Sequence, residues 1–185
     1  TDPLGRTTFF EYDVMRRRVG TVYPDGSSTA YDAAGRVIAR TNQLGDVTCF
    51  EYDSADNVVA ITDPLGRTTR CTYDCGGNRL ALTTPDGVTT RFEYDALSRL
   101  TRITSPCGTT EEFVYDFAGR LIARTDPEGR TIRFTWDTRD QLIAVTNALG
   151  ETTRFEYDAA GNRVREIDAL GQVTQHEYDA LNRLV

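Results

Sequence analysis

The stretch "RFEYDAAGNRVREIDALGQVTQHEYDALNRL" (154–184) holds the pair Tyr-Asp twice, at Tyr157-Asp158 and Tyr178-Asp179, 21 residues apart. An aromatic beside a carboxylate is half of a catalytic site, or it is the end of a strand and the start of a turn. The rest of the chain decides between them. The pair recurs at Tyr12-Asp13, Tyr31-Asp32, Tyr52-Asp53, Tyr73-Asp74, Tyr94-Asp95 and Tyr115-Asp116, and Trp136-Asp137 fills the one gap. The interval is 19 residues from Tyr12 to Tyr31 and 21 thereafter. A second marker keeps step: Gly5, Gly26, Gly45, Gly66, Gly87, Gly108, Gly129, Gly150 and Gly171. Glycine precedes the aromatic by 7 residues everywhere except between Gly26 and Tyr31, where 2 are missing. Losing two residues keeps every side chain on its face of a strand, whereas losing one would invert them, so the spacing fits β-structure. A period near 20 residues, sustained along the chain, marks a repeat architecture.

Both markers share one local grammar. "DPLG" at 2–5 and 63–66, "DPEG" at 126–129, "NALG" at 147–150 and "DALG" at 168–171 read as type I turns. Asp or Asn opens each, Pro is allowed second, and Gly supplies the left-handed residue that follows. "DAAG" at 32–35 and 158–161, "DFAG" at 116–119 and "DALN" at 179–182 are the same turn, read from the aspartate of the Tyr-Asp pair. Between turns lie runs of strand length such as "TTRFEY" (89–94) and "LIART" (121–125), rich in Thr, Val, Ile and aromatics. Tyr therefore closes a strand and Asp opens a turn by accepting hydrogen bonds from backbone amides ahead of it. An acid repeated at every turn suits catalysis poorly, because catalysis needs unlike groups converging on one point.

The expected fold is all-β: about seventeen short strands in a tandem antiparallel hairpin meander, treated as a single array over 1–185 with about nine repeat registers. Phe10, Phe50, Phe92, Phe113, Phe134 and Phe155 each lie two residues before the Tyr or Trp, so both aromatics share a face. Between them sit mostly polar residues: Glu11, Glu51, Glu93, Thr135, Glu156 and Glu177. On the returning strand, Ala39, Ala60, Ala81, Ala123 and Ala144 form a column, expected to leave room for the aromatics.

Composition narrows the function. The 185 residues carry a net charge of −7 and no Lys, all 21 basic residues being Arg, which argues against a nucleic-acid partner. No apolar run reaches the 18 residues of a membrane-spanning helix and no leader pattern is visible. The chain opens inside a turn and stops inside a strand, as a piece of a longer array would, and the isolated piece, with two unpaired outer strands, is expected to self-associate by its strand edges. Cys49, Cys71, Cys75 and Cys107 fall at unmatched places in the repeat; a bridge between Cys71 and Cys75, which flank one turn, is left open. No CxxC pair and a single histidine, His176, argue against zinc, and "DPLG" lacks the alternating acids of a calcium loop. His176 stands in a column otherwise filled mainly by Phe, and Ser27, Ser28, Ser54, Ser98 and Ser105 have no histidine in register. No catalytic residue, cofactor or metal is expected.

Repeats of the form "DPLGRTTRCTYDCGGNRL" (63–80) and "DPEGRTIRFTWDTRDQL" (126–142) closely resemble the YD repeats of Rhs proteins, of insecticidal toxin-complex proteins and, more distantly, of teneurins. The match covers essentially the whole chain. The resemblance implies a β-sheet ribbon spiralling into a hollow shell that, in bacterial members, holds a C-terminal toxin polypeptide before delivery. It implies as partners the flanking repeats of the same longer chain, the toxin cargo and components of a secretion apparatus, often type VI. It implies a bacterial protein made in the cytoplasm and secreted or injected. A cell-surface module binding glycans or a protein receptor is the alternative. Trp136 in place of Tyr, "DVMR" (13–16) without its turn glycine, and the short second repeat depart from the pattern and leave local turn geometry open.

Overall fold

The computed structural model describes residues 1–3 and 5–185; Leu4, within the expected turn 2–5, lies outside the described residues. All regular structure among the described residues is β-strand. The chain divides into two units, Thr1–Arg91 and Phe92–Val185. The first holds β1 (Phe9–Tyr12), β2 (Arg18–Val22), β3 (Ser28–Tyr31), β4 (Val37–Thr41), β5 (Val47–Tyr52), β6 (Val58–Thr62), β7 (Thr68–Tyr73), β8 (Arg79–Thr83) and the first half of β9 (Thr89–Tyr94). The second holds the rest of β9, then β10 (Leu100–Thr104), β11 (Thr110–Tyr115), β12 (Leu121–Thr125), β13 (Thr131–Trp136), β14 (Leu142–Thr146), β15 (Thr152–Tyr157), β16 (Arg163–Ile167) and β17 (Val173–Gln175). Within each unit, strands pair antiparallel with their neighbours in sequence. The all-β hairpin meander read from the repeat is the observed fold.

One hairpin shows how the chain turns. At 63–67 the amide of Gly66 donates to Asp63 O at 2.9 Å and that of Asp63 to Arg67 O at 2.9 Å, a type I turn followed by a residue in the left-handed region. Gly66 has φ +78°, and an added Cβ there would meet no neighbouring atom, so backbone conformation, not space, selects glycine. The turn at 13–17, which lacks its glycine, keeps the geometry: Arg16 takes φ +62° and its amide donates to Asp13 O at 3.0 Å. Asp56, Ser98, Asp140 and Asn182 occupy the same position with φ between 58° and 67°. In the second repeat the deletion shortens β3 to 4 residues, against 6 in β5, and leaves its pairing with β4 in step.

The hairpins β1–β2, β3–β4, β5–β6, β7–β8, β11–β12, β13–β14 and β15–β16, each closed by an aromatic-Asp turn, carry a bulge. Tyr52 faces Val58, but Glu51 faces Ala60 and Phe50 faces Ile61, so one residue of β6 is extra. The same slip occurs between Thr72 and Tyr73, Val114 and Tyr115, Thr135 and Trp136, and Glu156 and Tyr157. It overturns the expected neighbours of the alanine column. Counting back from the turn without a bulge would set Ala60 against Phe50; with it, Ala60 lies between Glu51 and Arg70, Ala123 between Val114 and Arg133, and Ala144 between Thr135 and Arg154. The alanines belong to the Arg/Glu/Thr face, and the aromatics share the other face with Ile61, Leu82 and Val145.

Ala60, 4% exposed, is the one buried hydrophobic residue among those described. Phe50, Phe92, Phe113, Phe134 and Phe155 are half-buried. A sheet with neither face packed must be held by its cross-strand pairs and its edges, each pair contributing some tenths of a kcal/mol, roughly 0.2–1. Such pairs are abundant: Arg165 with Glu156 at 3.1 Å, Arg102 with Glu112 at 2.8 Å, Arg124 with Glu111, and threonine hydroxyl pairs 62/68, 83/89, 125/131 and 146/152, each at 2.9 Å. All four cysteines, Cys71 and Cys75 included, are free thiols.

Candidate functional site

Eight of the nine repeat aromatics are the last residue of a strand: Tyr12, Tyr31, Tyr52, Tyr73, Tyr94, Tyr115, Trp136 and Tyr157 end β1, β3, β5, β7, β9, β11, β13 and β15; the ninth, Tyr178, forms an isolated bridge with Leu184. Each following aspartate opens a turn. The Asp116 carboxylate is typical: one oxygen accepts the amides of Ala118 at 2.9 Å and Arg120 at 3.0 Å, the other accepts Arg120 Nε at 2.7 Å. Asp13, Asp32, Asp95 and Asp179 repeat this set with Arg17, Arg36, Arg99 and Arg183. Asp53, Asp74 and Asp158 hold an Asn side chain instead of Arg, at 3.0, 2.9 and 2.8 Å, and Asp137 accepts the amides of Arg139 and Gln141. The glycines Gly66, Gly87, Gly108, Gly129, Gly150 and Gly171 stand at the left-handed position of the turns on the opposite edge.

The turn chemistry tolerates inversion. At 42–46 and 147–151 Asn replaces Asp, and its carbonyl oxygen accepts the same two amides. Its NH2 group then donates to an acid where Arg would stand, Asp46 at 2.9 Å or Glu151 at 2.7 Å. Donor and acceptor exchange places and the bond survives.

The Tyr-Asp edge also carries contacts that span repeats. Arg36 holds Asp32 of its own turn, lies 4.8 Å over the ring of Tyr52 in the next repeat, and donates from Nη1 to Asp53 O at 3.2 Å and to Asp56 Oδ1 at 2.7 Å. In return the Tyr52 hydroxyl donates to Val37 O at 2.7 Å, beside Arg36. Arg99 repeats the pattern on Tyr115 (5.0 Å) and Asp116 O (2.8 Å), and Arg120 on Asp137 O (2.7 Å) and Asp140 Oδ1 (2.8 Å). This latch closes strand pairs such as β4–β5 and β12–β13 at the edge where they have no turn. It also accounts for two departures from the glycine rule: Asp56 and Asp140 adopt positive φ where their carboxylates receive the arginine of the preceding turn.

Trp136 is such a latch residue. Its indole Nε1 donates to Leu121 O at 2.8 Å, as Tyr73 does to Val58 O at 3.0 Å and Tyr157 to Leu142 O at 2.9 Å. The position requires an aromatic body with a donor at its far end, which Tyr and Trp have and Phe lacks. Tyr52→Phe should therefore cost about 1 kcal/mol in urea unfolding, the net worth of one hydrogen bond. Trp136→Tyr should cost less than Trp136→Phe; the reverse order would show that ring size, not the donor, matters there.

The opposite edge is looser. Arg67 and Arg130 pair with Asp63 and Asp126 in their own turns but keep 63% and 65% of their side-chain surface exposed, against 25% for Arg99 and Arg120. Gln43 to Asp25, at 2.9 Å, is a link between successive turns there.

The electrostatics follow the hydrogen bonds. The amide of the last turn residue holds the Asp13, Asp32, Asp63 and Asp116 carboxyls below the ordinary range; the side chain of Arg99 or Arg183 does so for Asp95 and Asp179, and that of an Asn for Asp53, Asp74 and Asp158. These carboxylates stay ionised and engaged in the turn, the opposite of a general acid held protonated. His176 is half-buried on β17's extension, its amide donating to Val164 O at 2.9 Å, and its Nε2 makes no hydrogen bond among the described residues. Among the described residues no group of three or more His, Cys, Asp or Glu side chains is placed to hold a metal ion.

The RHS repeat family model matches residues 1–28, 31–68, 52–89, 73–110, 115–152, 136–172 and 157–185. No curated protein matches the chain. Among solved structures, the crystal structure of TcdB2-TccC3-TEV aligns with a TM-score of 0.65 at 16% identity, covering 96% of this chain and 13% of that one. The crystal structure of TcdB2-TccC3-Cdc42 aligns with a TM-score of 0.64, again at 16% identity and over 96% of this chain and 13% of that one. These likenesses show a shared fold, and this chain spans about an eighth of the length of either. With family matches that together cover nearly its whole length, the chain belongs to the RHS repeat family.

Proposed function

We propose that this chain is a length of wall: part of a spiral β-shell in a bacterial Rhs-type toxin that encloses a C-terminal toxin polypeptide until delivery. The observation that carries this reading is the latch. At three junctions, from Arg36, Arg99 and Arg120, an arginine reaches the turn backbone of the next repeat beside its Tyr or Trp, so much of the specific chemistry of the chain goes into joining repeats. Among the described residues no cluster of three or more His, Cys, Asp or Glu side chains is placed to hold a metal ion, and turn carboxylates such as Asp13, Asp116 and Asp179 are biased toward the ionised, hydrogen-bonded form a scaffold uses. Family membership and the fold shared with the TcdB2-TccC3 structures support the same conclusion. In this reading 1–185 is one continuous array, its partners are the repeats on either side and the enclosed cargo, and the protein is made in the bacterial cytoplasm and then secreted or injected, through a type VI apparatus or a toxin-complex injector.

Limited proteolysis of the full-length protein tests the proposal. Cargo downstream of the array should survive protease while the array is folded and become sensitive when the array is unfolded in urea. Cargo cut as fast within the native protein as in isolation would overturn it.

A further inference from the structure

The latch is not present at every repeat. The residue that closes the Tyr-Asp turn is Arg at 36, 99 and 120, but Asn at 57 and Gln at 141. Asn57 donates to Asp53 of its own turn at 3.0 Å and, two carbons shorter than an arginine, makes no hydrogen bond to the next turn among the described residues. Gln141 makes no side-chain hydrogen bond among the described residues. The receiving position is also bare: Gly77 and Gly161, like Gly119 after Arg99, stand where Asp56 and Asp140 receive Arg36 and Arg120, 20 residues after the turn-closing side chain. At both junctions the aromatic half remains, as Tyr73 to Val58 O at 3.0 Å and Tyr157 to Leu142 O at 2.9 Å. The arginine half, with its guanidinium over the ring and on the carbonyl, is missing. Asn162 is intermediate, since it reaches Asn182 Oδ1 of the next turn at 3.0 Å.

We propose that the array contains built-in seams: β6–β7, closed at the Tyr-Asp edge by Asn57, and β14–β15, closed there by Gln141, open before the latched pairs β4–β5 and β12–β13 of the same units. Both pairs are joined by a turn only at the opposite edge, at 63–67 and 147–151, where successive turns are weakly linked. The Tyr-Asp edge of each pair is therefore a free end held by one aromatic hydrogen bond. In β4–β5 and β12–β13 the same free end is held by the aromatic and by an arginine reaching two acceptors of the next turn. Local opening in proteins follows the least-supported cooperative segment, and a ladder with fewer cross-links at its free end frays from that end. The seams follow from side-chain lengths in this chain and hold whatever the wall encloses.

Native-state hydrogen exchange on the folded protein reads this directly. Amides in the halves of β6, β7, β14 and β15 nearest the Tyr-Asp turns should exchange roughly tenfold faster than the equivalent amides of β4, β5, β12 and β13, the scale of one lost charge-assisted hydrogen bond. Arg120→Asn places at 120 a residue that three other turns already carry, so the fold should survive and the fast exchange should appear in β12–β13. Asn57→Arg should slow exchange in β6–β7. Equal protection of the two classes, or an Arg120→Asn variant in which β12–β13 is no less protected, would overturn the proposal.

Discussion

Replacing Asp116 by alanine is expected to lower the melting temperature by roughly 5 °C, about twice the loss at Asp126, from hydrogen bonds removed at a turn of a chain this size. Both carboxylates accept two backbone amides and one arginine Nε: Ala118, Arg120 and Arg120 Nε for Asp116, and Glu128, Arg130 and Arg130 Nε for Asp126. Within the turn the two losses are alike. They differ in what the arginine does next. Arg130 goes on only to Glu128 of the same turn, whereas Arg120 goes on to Asp137 O and Asp140 Oδ1 of the next repeat. Without Asp116, nothing fixes the Arg120 guanidinium in that pose, so a second junction is lost with the first. Asp116→Asn separates charge from geometry. Asn42 and Asn147 show that an amide oxygen serves the turn amides, so this variant should keep most of the turn and lose the anchoring of Arg120. Thermal melts of the three variants decide the matter: equal losses at 116 and 126 would mean that the latch adds nothing to stability.

The strands and turns were legible because their signals are local. Asp and Gly three residues apart fix a turn, and the β-branched and aromatic run between two turns fixes a strand, so the chain alone gives the meander. The face of the alanine column was not legible. It depends on the bulge beside Tyr52, Tyr73, Tyr115, Trp136 and Tyr157, one extra residue per hairpin that inverts the parity counted from the turn. Nothing in "VVAIT" (58–62) announces that residue; the carbonyl that Tyr73 takes from Val58, within the bulge, does so only in three dimensions. The latch was missed for a different reason. Its partners lie 15, 16, 17 and 20 residues apart, beyond any window used to read a strand or turn, although the constant spacing of Arg36, Tyr52 and Asp53, and again of Arg99, Tyr115 and Asp116, carries the signal. Trp136 was the informative departure, because Trp and Tyr have in common a ring and a distal donor.

The same carboxylates that build the turns make the array sensitive to acid, and the sign follows from the direction of their shifts. In the folded chain Asp13, Asp32, Asp53, Asp63, Asp74, Asp95, Asp116, Asp158 and Asp179 are held below the ordinary aspartate value by amides and side chains of their own turns; Asp25 is lowered to about 2 by the Ser27 hydroxyl and the Gln43 amide. In the unfolded chain they titrate near the unperturbed value of about 3.9. Below that value the unfolded state binds more protons than the folded state, so stability falls as pH falls, and it is fully present above. The unfolding midpoint should be nearly level from about pH 7 to 5 and drop steeply between about pH 4 and 2, as protonation proceeds through the folded values. Repetition makes this a large effect: the linkage sums over turns on both edges, and protonation of Asp32, Asp95 or Asp116 also releases the arginine that clamps the next repeat. Asp53, Asp74 and Asp158 offer the control, since their carboxylates hold an Asn side chain of their own turn and anchor no latch arginine. Replacing those three by Asn, the residue that opens the turns at 42 and 147, should shift the midpoint little at pH 7 and make the low-pH limb shallower. A midpoint that holds level down to pH 3, or a triple variant with an unchanged acid limb, would show that the turn carboxylates do not carry the stability of the sheet.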